Sequence, residues 1–215
     1  MISRIGETGT FARRCVKDPI ECDFSKSYHE IAFQSRRFYP PNMNELDELW
    51  AQMLAESAAA ARSSGLSAVA DYLELKAFND RLRQTGVKWL FDTLIEAVYL
   101  CDFHPTPIVE RENPHSFAHK GATMMGSLLR IRHGLRCLTA EAGWTRTPAD
   151  GFMRGGALAA ARISHRGLTK ANIELLLIND GAAPSWKFAE PDRLNAVFLV
   201  KNAVEQVEIL IDRAG

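Results

Sequence analysis

Between Phe117 and Leu138, the positions Phe117, Gly121, Met124, Leu128, Ile131, Leu135 and Leu138 step by four, three, four, three, four and three residues. A mean step of about 3.5 residues keeps one side of an α-helix apolar. The spacing predicts a single long amphipathic helix from about Ser116 to Ala140. Gly121, Gly126 and Gly134 each cost such a helix about 1 kcal/mol relative to alanine, unless they admit another backbone.

The flanking segments read the same way. Leu46, Trp50, Met53 and Leu54 recur at helical spacing after Pro40-Pro41, with Asn42 or Asn44 as N-cap and Gly65 at the C-terminal turn. A second helix, Ser67 to Gln84, carries Val69, Tyr72, Leu73 and Phe78 on one side. Thr85-Gly86 breaks it, and a third follows from Val87 to Cys101 with Leu90, Phe91, Leu94, Ile95 and Val98 inward. Short loops favour antiparallel packing of these three, with Trp50 and Trp89 in the bundle core or at its rim. After the proline-rich loop around Pro105 and Pro107, short helices are expected from Ala157 to Ser164 and from near Lys170. A last helix runs from Pro191 to about Arg213. The expected fold is mostly α: a helical bundle with a long central amphipathic helix and an irregular N-terminal arm, minor β being possible. Its parts are an arm (1–41), an acidic bundle (42–104) and a basic helical half (105–215), the last two forming one compact domain.

A chain of 215 residues can bury a core without staples. Its 47% apolar and 24% charged residues exclude a wholly disordered or collagenous chain. No apolar run approaches the ~20 residues that span a bilayer, and the N-terminus lacks the apolar core of a secretory signal. Cys15, Cys22, Cys101 and Cys137 form no C-x-x-C, which fits a reduced, cytoplasmic protein, although Cys15 and Cys22 could bridge in an oxidising compartment.

Net charge is zero but unevenly spread. Residues 41–110 hold five basic and eleven acidic residues, whereas residues 111–170 hold ten basic and three acidic. On the expected long helix, Arg130, His133 and Arg136 follow at i, i+3 and i+6 as one basic ridge. Lysine and arginine ridges of this kind bind phosphates in a salt-dependent way. Further on, GALAAARISHRGLTKANIELLL has the outline of a helix-turn-helix. Arg162, Arg166 and Lys170 would then flank the turn and the front of a DNA-reading helix, although the turn is longer than that motif uses. The plainer reading pairs the basic block with acidic groups of the first bundle, such as Asp71, Glu74 and Asp80. Trp144 and Trp186, beside Arg146 and Lys187, read either as stacking platforms for bases or as loop anchors.

Chemistry-bearing patterns are sparse. Glu112, His115 and His119 offer an E-x-x-H and two imidazoles four apart, the spacing that puts metal ligands on one helix face. Pro114 interrupts that helix. No H-E-x-x-H, G-x-S-x-G, P-loop or dinucleotide fingerprint is present, and no motif implies a cofactor. The leading expectation is a non-enzymatic nucleic-acid-binding protein contacting phosphates through Arg130, His133, Arg136, Arg162, Arg166 and Lys170. The alternatives are a protein-interaction or assembly module with paired acidic and basic faces, and a metal-dependent enzyme using Glu112, His115 and His119.

Overall fold

The computed structural model describes residues 42–101, 103–181 and 183–211, with side chains from residue 48 onward except Arg154. Residues 50–215 form one compact unit. The expected N-terminal arm (1–41) lies outside the described residues.

Two of the expected helices are present, and the second is longer than the sequence suggested. Helix α1 (Asn42–Ser63) is alanine-rich and ends at Gly65, whose φ of 76° closes the turn. Gly65 N–H reaches the Arg62 carbonyl and Leu66 N–H the Ala61 carbonyl, the paired bonds of a Schellman ending. Helix α2 (Ser67–Leu100) then runs unbroken through Thr85-Gly86. At 34 residues it is about 50 Å long. Gly86 does not stop it because its missing side chain is where the sheet comes closest. A Cβ there would lie 2.6 Å from Leu177 Cδ2.

The second half of the chain overturns the expected all-α bundle. In place of the long central helix are three antiparallel strands, β1 (Ile108–His119), β2 (Ala122–His133) and β3 (Arg136–Trp144). The expected helices at Ala157–Ser164 and from Lys170 are β4 (Ala159–His165) and β5 (Ile173–Asn179), so the outlined helix-turn-helix is a β-hairpin connection. Trp186 lies in β6 (Pro184–Phe188) rather than in a loop. The last helix shrinks to a 3-10 turn at Pro191–Arg193 and α3 (Val200–Glu208). The six strands form one antiparallel sheet in chain order, β1 to β6. Helices over one face of an antiparallel sheet make this an α+β architecture.

Register explains which residues face the helices. Leu129 and Ile131 of β2 stand opposite Ala140 and Leu138 of β3. Ala140 and Ala142 in turn oppose Ile163 and Ala161 of β4, and Leu175 and Leu177 of β5 oppose Phe188 and Trp186. These residues form one buried cluster with Val87, Leu90, Phe91, Leu94 and Val98 of α2 and with Ala203 and Val207 of α3. The alanines Ala140, Ala142, Ala159 and Ala161, all fully buried, leave room for α2 to cross close over β3 and β4. Trp186 Nε1 donates to the Gly86 carbonyl at 2.8 Å, and Arg83 Nε to the Leu158 carbonyl at 2.9 Å, fixing that crossing.

The other face is mostly polar, and the β1–β2 hairpin folds over it. Lys120 and Gly121, with φ of 47° and 83°, make the two-residue turn, both central residues having positive φ as a type I′ hairpin requires. Lys120 Nζ nonetheless lies 2.7 Å from Glu174 Oε2 on β5. Three strand spacings, about 14 Å, separate β2 from β5 in a flat sheet, so the hairpin tip must bend across the face. The bend falls where Gly126 opposes Gly143, since a Cβ on Gly126 would sit 2.0 Å from the Ala142 carbonyl oxygen. A register shift between Glu112 and His115 accommodates it on β1. Phe117, Ala122 and Met124 of the tip pack on Ala160 of β4, with Met153 and Leu176 alongside.

Candidate functional site

Beside the bend, alternation along β1, β3 and β4 brings four side chains into one connected chain. His115 Nδ1 lies 3.2 Å from Glu112 Oε1, and its Nε2 lies 3.0 Å from Glu141 Oε1. Glu141 Oε2 accepts from Arg162 Nε at 3.0 Å. Burial raises the Glu141 pKa, but the hydrogen bonds from His115 and Arg162 and their charges outweigh it, leaving the carboxyl below its ordinary range. The arrangement sets the Glu141 carboxylate between His115 and Arg162. It contains no serine or cysteine nucleophile, and its polar atoms are largely engaged with one another.

His119 is four residues further along the same strand, under the folded tip. Four strand residues span about 13 Å, so His115 and His119 do not face a common point as helix spacing would place them. Glu112 belongs to the His115 chain. Among the described residues, no group of three His, Cys, Asp or Glu side chains is arranged to hold a metal ion. His119 is 6% exposed, and its Nε2 has no hydrogen-bond partner among the described residues. Burial lowers its pKa; Lys120 and Arg162 lower it further and Glu174 opposes them. Burial therefore favours its neutral form.

The six cationic candidates do not form one ridge. A strand sends alternate residues to opposite faces, so Arg130 and Arg162 lie on the polar face while His133 and Arg136 lie on the helix side. Arg130 approaches Glu112 at 3.6 Å, and its neighbour Arg132 pairs with Glu110 at 2.5 Å. His133 meets Phe103 edge-on, with ring centroids 5.0 Å apart. Arg136 donates to the Ile209 carbonyl at 3.0 Å, placing a cation at the C-terminal end of α3. Arg166 and Lys170 are exposed on the β4–β5 connection. The acidic groups of the first helices take other partners: Arg62 holds Asp71 and Glu74, while Lys76 and Arg83 hold Asp80. Arg111, paired with Asp92 at 2.7 Å, joins the basic block to α2.

Arg136 and Arg166 are brought to one place, a cavity of about 150 Å³ between the ends of β3 and β4 and the end of α3, also lined by Cys137 and His165. His165 is buried there and shares a 3.0 Å hydrogen bond between its Nε2 and Gln206 Oε1. Burial lowers its pKa, with the Gln206 bond opposing.

The largest feature is one that helical spacing gave no reason to separate from core. Trp50 and Met53 on α1, and Val69, Tyr72, Leu75 and Phe78 on α2, are exposed; Tyr72 retains 64% of its surface and Met53 50%. Within this helical hairpin, from residue 50 to residue 85, only Leu54, Ala58 and Ala70 are buried. Lys76 Nζ stands 5.7 Å from the centre of the Trp50 ring. Phe78, nine residues beyond Val69, lies on the opposite side of α2, whereas a short apolar stripe such as Val69 and Tyr72 looks identical whether it faces a core or a partner. The third helix expected to cover it is the continuation of α2, which leaves the hairpin to cover the sheet. Trp144, expected in a loop, ends β3 with Arg83 and Arg146 over its ring at 5.7 and 5.5 Å.

Among the described residues, no helix is long and apolar enough to cross a membrane. No protein-family model, curated protein or solved structure matches the chain.

Proposed function

We propose that this chain is a non-enzymatic protein-interaction module that docks through the exposed apolar side of its α1–α2 hairpin. The observation that carries this reading is the exposure of Trp50 and Met53 on α1 and of Val69 and Tyr72 on α2, which lie on the side of the hairpin where Lys76 stands over the Trp50 ring. Apolar patches of more than a few hundred Å² are uncommon on monomers and mark interaction sites. The sheet serves as the platform: its core anchors the second half of α2, so the first half is held out as a preformed element. Hydrogen exchange on the full chain tests this. Residues 50–85 should exchange faster than β3 and β5 in dilute solution, and a hydrophobic dye should bind the wild type but not Val69→Ser/Tyr72→Ser. Hairpin amides as protected as those of β3, with no dye binding, would mean the stripe is covered within the chain and would end this reading.

A second reading keeps phosphate binding, on the observation that Arg166 and Lys170 stand exposed together on the β4–β5 connection. Anisotropy with labelled DNA and RNA across a salt series tests it, a steep loss of affinity with salt being its signature.

A further inference from the structure

We propose that the cavity between the ends of β3 and β4 and the end of α3 is a site for one phosphate group, held by Arg136 and Arg166. The site is independent of what docks on the helical hairpin. Register, charge and size each point to it.

Strand register brings the two arginines together. Leu138 of β3 opposes His165 of β4, and Arg166 N–H donates to the Cys137 carbonyl at 3.0 Å, so the pairing runs past the end of β4. Arg136 starts β3 and Arg166 follows β4, which makes them diagonal neighbours across the strand ends. Gly167, with φ of 79°, then turns the chain, and its N–H takes no partner among the described residues.

Charge selects an anion. Among the described residues, no aspartate or glutamate lines the cavity. Arg62, Arg83, Arg111, Arg130, Arg132 and Arg162 each lie against a carboxylate. Arg166 has no such partner among the described residues. Two guanidinium groups on one cavity repel each other. An oxyanion between them relieves that repulsion and accepts from planar forks that match its geometry. Arg136 is steadied by its 3.0 Å bond to the Ile209 carbonyl, and the buried His165 by Gln206, so these walls of the site are already in place.

Size limits the ligand. A cavity of about 150 Å³ is well below the ~300–1,000 Å³ that encloses a drug-sized molecule. A single phosphate suits that space and a whole nucleoside does not. Arg166 is exposed at the rim, so the ligand is a free phosphate ion or the end of a phosphate monoester whose remainder stays in water.

Cys137 lines the cavity as a free thiol and supplies the readout. The full chain is alkylated in inorganic phosphate and in chloride at equal ionic strength, and each cysteine is followed by peptide mass. Phosphate at about ten times its Kd should slow Cys137 about tenfold and leave Cys101 unchanged. Arg166→Ala should weaken that protection at least about tenfold, while Lys170→Ala keeps it. Circular dichroism confirms that both variants are folded, and the wild-type comparison stands without them. Glycerol phosphate separates the two sources: protection matching that of inorganic phosphate assigns a monoester, and its absence assigns the free ion. Wild-type Cys137 alkylated equally fast in phosphate and chloride would overturn the site, as would protection that survives in a folded Arg166→Ala. Salt-sensitive binding of an unphosphorylated DNA, with Cys137 unprotected by phosphate, would place phosphate recognition on the exposed β4–β5 connection and likewise overturn the cavity.

Discussion

Trp186 Nε1 donates its hydrogen bond to the backbone carbonyl of Gly86, one hundred residues away in the chain. The bond works because Gly86 brings no side chain between α2 and the sheet, where Leu177 already fills the space. Helix propensity and packing therefore pull in opposite directions at this position. Alanine gains about 1 kcal/mol as a helix former, but an extra methyl group in a filled core costs about 1–3 kcal/mol. Gly86→Ala should lower stability, and Trp186→Phe should lower it by about 1–2 kcal/mol through the missing hydrogen bond and the space left behind. Urea unfolding measures both; a stabilised Gly86→Ala would show that the crossing has slack.

The same crossing explains what the sequence made legible. Val87, Leu90, Phe91, Leu94 and Val98 read as an inward helical face and are one. The sheet was hidden for two physical reasons. Leu128 and Leu129 are adjacent and both buried, one on each face, so strict alternation is lost in β2 and the apolar positions fall into steps of three and four. β4 begins with Ala159, Ala160 and Ala161, because α2 lies over two of them and the folded tip over the third. Alanine in a row reads as helix when its packing partner is unknown. The legible sign of strands was punctuation: Lys120-Gly121, Gly134-Leu135 and Asp180-Gly181 all mark hairpin connections. The apolar hairpin face was visible residue by residue but not as a surface, since exposure is set by what is absent above it.

Glu141 gives an acid-side prediction. Its folded pKa lies below its ordinary value, so the folded state holds the carboxylate more tightly than the unfolded chain does. The stability this supplies is complete above the ordinary carboxylate range and is lost as pH falls through the folded pKa. Glu141→Gln should cost about 1–3 kcal/mol at neutral pH, since Arg162 and His115 lose an ionised acceptor. It should also flatten the acid limb of stability against pH. Unfolding midpoints of the two proteins across the acid range check this, and parallel acid limbs would count against it.

His119 and His165 act at higher pH with the same sign. Both have folded pKa values below 6.5 because burial disfavours the cation. On acidification the unfolded chain takes up these protons first, so stability is full above about pH 6.5 and falls as the pH drops toward the folded values. His119→Gln should reduce the slope between about pH 7.5 and pH 5.5 without abolishing it, because His165 still contributes. Urea midpoints at the two pH values measure the slope. An unchanged slope would mean that His119 protonates equally in both states and that the folded tip does not exclude its charge.

The polar face predicts the outcome for its arginines. Arg130 and Arg162 each face a glutamate within the sheet, so a phosphate must compete with a partner already in place. Arg166 and Lys170 stand exposed on the β4–β5 connection instead. If the chain binds nucleic acid, Arg166→Ala/Lys170→Ala should remove most of the affinity and lower the salt slope by about one unit for each phosphate no longer neutralised. Arg130→Ala should change binding little while leaving Glu112 with His115 alone. Anisotropy at several salt concentrations separates the two variants. Loss of binding in Arg130→Ala, with Arg166→Ala/Lys170→Ala unaffected, would move the phosphate-binding surface from the β4–β5 connection to the polar face of the sheet.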